Sequence, residues 1–136
     1  MNVQSQEKHR ILLVDDEEDV AVGICDYINF KYKEFFKAIP VWGKENLVAR
    51  TMEAVKQTSP DLTIVDLVLN GTDGVDLSKM VLKVLPNTKI LYLTGCPSTD
   101  SLRKKANKTK HPSIFKPCNG SEVVQKIKDI LACKQL

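Results

Sequence analysis

The chain has 136 residues, 43% of them hydrophobic and 27% charged, with a formal net charge of +3. This is the size and composition of one globular domain, long enough to bury a core without disulfide or metal staples. The charge is too mild to argue for nucleic acid, no apolar run is long enough to span a membrane, and the polar stretch from Met1 to Arg10 is no secretory signal.

Residues 1–9 read as a solvated lead-in. Ile11 to Val14 is a continuous apolar run, hence a strand buried on both faces. It stops at Asp15-Asp16-Glu17-Glu18-Asp19, where Glu17, Glu18 and Asp19 suit the N-terminus of a helix. Val20, Ile24, Tyr27 and Ile28 then fall at helical spacing. A basic, aromatic connection from Lys31 leads into a strand around Phe36 to Trp42, and Pro40 places that strand at a sheet edge because proline cannot donate to a ladder. Leu47, Val48, Met52 and Val55 form the next helical stripe, which Ser59-Pro60 ends.

Leu62-Thr63-Ile64-Val65-Asp66 is a short, β-branched run that delivers one carboxylate to a strand end. Such an acid can be a metal ligand, a nucleophile or the neighbour of a helix. Asn70-Gly71 and Asp73-Gly74 are turn dipeptides in the loop that follows. Leu77, Met80, Val81, Val84 and Leu85 repeat the helical pattern as far as Pro86. Lys89 to Thr94 is another strand, and Pro97 to Lys110 holds a short, thinly packed helix with Leu102 and Ala106 on its inner face. Ser113-Ile114-Phe115 is a last brief strand before Lys116-Pro117. Asn119 caps a final helix, with Glu122 at the reciprocal capping position and Val123, Val124, Ile127, Ile130 and Leu131 as its apolar face.

Five strand-then-helix units predict an α/β fold, a doubly wound parallel sheet in a three-layer sandwich with right-handed crossovers. In such sheets the site lies outside the carboxyl ends of the strands. Those ends bear Asp15 and Asp16, Asp66, Thr94 and Lys116. Three carboxylates close together repel, and their ionised forms call for a cation. Oxygen-only, histidine-free ligation suits Mg²⁺, which leaves positions open for phosphate oxygens. A lysine and a threonine across the site can bind a phosphoryl group, and a carboxylate can accept one. The four cysteines, Cys25, Cys96, Cys118 and Cys133, form no C-x-x-C pair and match no zinc spacing, which points to a reduced, cytoplasmic setting.

The motifs Ile-Leu-Leu-Val-Asp-Asp-Glu at 11–17, Pro-Asp-Leu-Thr-Ile-Val-Asp-Leu at 60–67, Asp73-Gly74, Leu93-Thr94-Gly95 and Phe115-Lys116-Pro117 together resemble the receiver domains of two-component response regulators. The resemblance covers roughly Arg10 to Leu131. It implies a flavodoxin-like (βα)5 sheet of order 2-1-3-4-5, with a receiver unit over 10–133 and a short tail at 134–136. By that resemblance Asp66 is the phosphoacceptor, and Asp15, Asp16, Asp66 and the backbone carbonyl of Val68 hold Mg²⁺. Lys116 pairs with Asp66 and then with the phosphoryl group, Thr94 carries the switch, and Lys116-Pro117 is a cis peptide. The implied phosphodonor is a sensor histidine kinase or phosphotransfer protein. An effector or fused output domain would dock on the face of the fourth helix, fifth strand and fifth helix, and a dimer on phosphorylation is allowed.

The chain departs from the family pattern in two places. Asn70 stands where proline is usual, and Ser113 where an aromatic residue usually responds to the threonine. Val68 and Cys96 occupy the two variable positions that tend to govern phosphoryl lifetime, and an apolar Val68 predicts a long-lived adduct. Arg103, Lys104, Lys105, Lys108 and Lys110 are either a solvated helix face or a docking surface for an acidic partner. Two rival functions stand beside the resemblance: a receiver-like scaffold that needs no phosphorylation, and a magnesium phosphohydrolase. The latter typically has D-x-D after its first strand, which Asp15-Asp16-Glu17 does not match. A nucleotide site is excluded because no glycine-rich loop follows the first strand.

Overall fold

A computed structural model describes residues 8–97 and 100–132 of the chain. The expectations for residues 1–7, for Cys133 and for the tail at 134–136 lie outside the described residues. In chain order the elements are β1 (His9–Val14), α1 (Glu18–Lys31), β2 (Phe36–Val41), α2 (Leu47–Thr58), β3 (Leu62–Asp66), β4 (Val68–Leu69), β5 (Thr72–Asp73), α3 (Gly74–Val84), β6 (Lys89–Thr94), α4 (Ser101–Lys108), β7 (Ser113–Phe115) and α5 (Gly120–Leu131).

Five of the strands form one parallel sheet in the order β2-β1-β3-β6-β7. With the small β4–β5 hairpin left out of the count, this is the expected order 2-1-3-4-5. Successive side chains along each sheet strand point to opposite sides, and both sides are covered. Ile11, Leu13, Leu62, Ile64, Leu91 and Leu93 pack under α1 and α5. Leu12, Val14, Val65, Ile90 and Tyr92 pack under α2, α3 and α4. Burial on both faces is why these strands read as unbroken apolar runs. β2 is an edge strand, as Pro40 requires.

Three helices, α3, α4 and α5, are capped at their starts by side chains. Asp73 Oδ1 accepts the N–H of Asp76 at 2.8 Å, and Asp100 Oδ1 accepts that of Leu102 at 2.8 Å. Asn119 and Glu122 form the reciprocal cap of α5, as their spacing predicts.

Two local expectations change. The loop after Asp66 is an antiparallel hairpin, with Val68 opposite Asp73 and Leu69 opposite Thr72. Its turn is Asn70-Gly71, with Gly71 at φ 85°, a region that favours glycine. In α3, Met80 and Val84 are 40% and 44% exposed, so they are not part of the inner stripe. The helix begins at Gly74, and its buried positions are Gly74, Val75, Leu77, Ser78 and Val81. Starting the periodicity at Leu77 misses that first turn and brings in residues from the outer flank.

Gly74 marks the tightest approach in this region. Its N–H donates to the Leu67 carbonyl at 2.8 Å, and an added Cβ would run into the backbone carbonyl of Asp66. Backbone cannot swing aside as a side chain can. Gly74→Ala is expected to lower unfolding free energy by about 1–3 kcal/mol, measured by urea denaturation.

Candidate functional site

Strand register assembles the site. Val14 pairs with Val65, so the next residues, Asp15 and Asp66, lie side by side at the carboxyl end of the sheet. Asp66 pairs with Leu93 and Thr94 with Phe115, which brings Thr94 and Lys116 to the same edge. The Lys116 N–H donates to the Thr94 carbonyl at 2.8 Å. The Lys116-Pro117 peptide is cis.

The Lys116 ammonium donates to Asp15 Oδ2 at 2.8 Å and to Asp66 Oδ2 at 3.0 Å. The remaining oxygens are held by backbone. Asp15 Oδ1 accepts the N–H of Glu17 at 2.9 Å, and Asp66 Oδ1 accepts that of Val68 at 3.2 Å. Each carboxylate is thus oriented from two sides. Asp15 is fully buried and Asp66 nearly so, while Asp16 is half-buried.

One oxygen from each of Asp15, Asp16 and Asp66 falls within 4.8 Å of the others. Against these three carboxylates the lysine contributes a single positive charge. Burial, reinforced by the negative charge of Asp15, pushes the Asp66 carboxyl up from 3.8 to about 6, although Lys116 opposes the shift. Burial works to lower the Lys116 ammonium, but its bonds to Asp15 and Asp66 win and raise it. The cluster therefore carries more negative charge than its own lysine relieves, and its donors are all oxygen. That chemistry fits a hard divalent cation.

Thr94 is fully buried, and its Oγ1 accepts the N–H of Cys96 at 2.9 Å. Val68 is 57% exposed, so its side chain stands in solvent two residues beyond Asp66. Ser113 pairs with Tyr92 and is half-buried.

The basic segment of α4 is divided. Lys105 donates to Asp73 Oδ2 at 2.9 Å and to Asp76 Oδ1 at 2.8 Å, which ties α4 to the start of α3. Arg103 is buried, its guanidinium bonded to the Cys96 carbonyl at 3.0 Å and lying 3.9 Å over the Phe115 ring. Only Lys104, Lys108 and Lys110 remain as an exposed basic face. Nothing in the local sequence separates the five, because the acids that bind Lys105 lie about thirty positions earlier in the chain.

Cys25 is buried, and burial with the neighbouring Asp26 pushes its thiol up to about 12, which leaves it unreactive. Cys96 and Cys118 are free thiols as well.

The acidic cluster, the lysine and the threonine thus stand at the carboxyl edge of a doubly wound parallel sheet, where α/β domains of this class bind their ligands. The family model of the response regulator receiver domain matches residues 11–128, and the chain belongs to that family. It is 28% identical over 119 residues to the response regulator protein VraR of Staphylococcus saprophyticus, covering 88% of this chain and 54% of that protein. It is 26% identical to the transcriptional regulatory protein LiaR of Bacillus subtilis, with the same two shares, 88% and 54%. The chain spans about half the length of the curated relatives it matches. Among solved structures, a CheY-like receiver domain protein from Methanospirillum hungatei has a TM-score of 0.73 at 22% identity, over 93% of this chain and 95% of that one. A two-component response regulator from Clostridium difficile has a TM-score of 0.77 at 19% identity, over 95% and 100%. These two likenesses show the shared fold.

The raised Asp66 carboxyl has a consequence for stability. An acid whose folded value lies above its unfolded value stabilises the fold while protonated, and loses that contribution as pH rises through the folded value. In EDTA, Asp66→Asn is therefore expected to match wild type near pH 4. It should become more stable by about 1–3 kcal/mol above pH 6, read from urea midpoints across the pH series.

Proposed function

We propose that Asp66 is the phosphoacceptor of this receiver domain, which spans residues 10–133, and that Asp15, Asp16, Asp66 and the Val68 carbonyl hold Mg²⁺. The observation that carries the reading is the shared Lys116 ammonium, bonded at once to Asp15 and Asp66. It aims the Asp66 carboxylate, and its single positive charge leaves the three clustered acids net negative, the charge a divalent cation would meet.

In the reaction, an Asp66 oxygen attacks phosphorus and the bond from phosphorus to its donor breaks, with the leaving group taking that electron pair. The carboxylate must be ionised, which a value of about 6 secures for most molecules at neutral pH. Bound Mg²⁺ would supply charge neutralisation for the phosphoryl oxygens. Lys116 offsets further charge from the sheet side, and the Thr94 hydroxyl can donate to a phosphoryl oxygen. The donor is a sensor histidine kinase or a phosphotransfer protein, and the setting is cytoplasmic. Output passes to an effector or attached domain through the face of α4, β7 and α5, where Lys104, Lys108 and Lys110 would favour acidic groups. The phosphohydrolase reading lacks its D-x-D motif, and the scaffold reading leaves the buried acid cluster without a purpose.

Incubation with Mg²⁺ and acetyl phosphate should give an acid-stable, base-labile adduct, detected by intact mass. Asp66→Asn and EDTA should abolish it, and Asp15→Asn or Asp16→Asn should slow it by about tenfold or more. Lys116→Met should slow it by about 10²–10³-fold. Absence of the adduct in wild type would favour the scaffold, and sustained release of phosphate the hydrolase.

The side chain of Val68 is exposed and apolar, and it cannot hold an attacking water by hydrogen bonding. Val68→Asn is accordingly expected to lose the phosphoryl group severalfold faster than wild type in a dephosphorylation time course.

A further inference from the structure

A continuous chain of contacts leads from Thr94 to the outer face of the sheet's β7 edge. Thr94 Oγ1 accepts the Cys96 N–H at 2.9 Å, and the Cys96 carbonyl accepts from Arg103 Nη1 at 3.0 Å. The Arg103 guanidinium carbon lies 3.9 Å from the centre of the Phe115 ring, which is 54% exposed. Phe115 in turn pairs with Thr94 in the β6–β7 register and immediately precedes Lys116. Arg103 itself is only 8% exposed, and its Nε finds no hydrogen-bond acceptor among the described residues. A buried guanidinium with a donor left over is held at a cost and gains from a move that offers another acceptor.

We propose that Arg103 is the positioning residue that couples Thr94 to helix α4. When Thr94 is drawn toward a phosphoryl group on Asp66, the Cys96 peptide follows, Arg103 follows the Cys96 carbonyl, and the guanidinium leaves the Phe115 ring. The coupling rests on the assignment of Asp66 as phosphoacceptor.

Each link has a physical reason. A hydroxyl can accept one hydrogen bond while donating another, so Thr94 can engage the phosphoryl group and keep the Cys96 N–H. Gly95, between them, has open space where a Cβ would stand, so no side chain pins that residue to its surroundings. Arg103 has two attachments of unequal strength. Its charge-assisted bond to the Cys96 carbonyl outweighs stacking on a half-exposed ring, so the guanidinium goes with Cys96. Lys105, two residues on and therefore on the opposite flank of the helix, stays tied to Asp73 and Asp76. α4 is eight residues long, with Ala106 its one fully buried apolar side chain, so little core packing resists a tilt. The result is a displaced α4 and an uncovered aromatic ring beside it. Ser113, the residue at the position where the family usually carries an aromatic, is not needed for this route.

The test compares hydrogen exchange of the full chain with and without Mg²⁺ and beryllofluoride, a phosphoryl analogue. In wild type, amides of Ser101–Lys108 should change exchange by about threefold or more. Arg103→Gln should still form the acetyl-phosphate adduct and still respond at Thr94–Cys96, but should lose the response in α4. Arg103→Lys, which keeps a cation and a donor, should restore part of it. A full α4 response in Arg103→Gln overturns the coupling. Loss of the adduct in wild type overturns the Asp66 assignment first, so the two failures are distinct. Should Arg103→Gln fail to fold, Phe115→Leu decides. With the competing ring removed, α4 in the unphosphorylated protein should already exchange more like the beryllofluoride form, and a resting pattern equal to wild type overturns the proposal.

Discussion

One ammonium group between two buried carboxylates organises this molecule. Lys116 reaches Asp15 and Asp66 from the last strand of the sheet, and each acid's other oxygen is taken by a backbone N–H. Without that cation both acids would be buried charges facing each other, a condition that costs several kcal/mol per ion. With it, the pair is held, but burial and Asp15 still push the Asp66 carboxyl up to about 6. The cluster is thus stable enough to persist, yet it carries more negative charge than its own lysine relieves, and the proposed phosphoryl transfer rests on that imbalance.

The sheet is what makes the arrangement possible. Parallel strands all point their carboxyl ends the same way, so Asp15, Asp66, Thr94 and Lys116, up to 101 residues apart, meet along one edge. Register matters as much as direction. A slip of one residue in β1 against β3 would turn Ile11 and Leu13 to the wrong layer and move Asp15 away from Asp66. The two packed faces therefore guard the site, since the apolar alternation that fixes the core also fixes where the acids emerge.

Helix α4 is built on a different balance. Its neighbours are gripped mainly by apolar packing, whereas α4 is held by polar attachments at its flanks, Lys105 to the α3 start and Arg103 to the Cys96 carbonyl and Phe115. Polar contacts of this kind can be exchanged for others of similar strength, while a packed core resists continuous deformation. Such fastening is what the proposed displacement of α4 would need, since it could occur without unfolding the domain. Phe115 lies on the edge strand and is half-exposed, and Arg103 touches both its ring and the Cys96 carbonyl, the contacts on which the proposed coupling rests.

Much of this was legible in the residues themselves. Pro40 marked an edge strand, the continuous run at Leu62–Asp66 marked a doubly buried one, and Asn119 with Glu122 marked the start of α5, each through a rule that acts over a few residues. The motif set also identified the family and placed the site acids at strand ends. Local rules were weaker where one turn sets the phase of a helix, as at Gly74, whose early start turned Met80 and Val84 outward. They marked the Asn70-Gly71 turn but not the pairing of Val68–Leu69 with Thr72–Asp73 around it, and were silent on the clamp between Lys105 and Asp73 and on the stacking of Arg103 over Phe115. Sequence by itself determined the five sheet strands, the five helices, their order and the identity of the acids, because hydrophobic period, caps and turn residues act on near neighbours. Only the tertiary structure decided which charges share a partner and which side chains bridge α4 to its surroundings, because those pairings join residues far apart in the chain and depend on distances that packing alone sets.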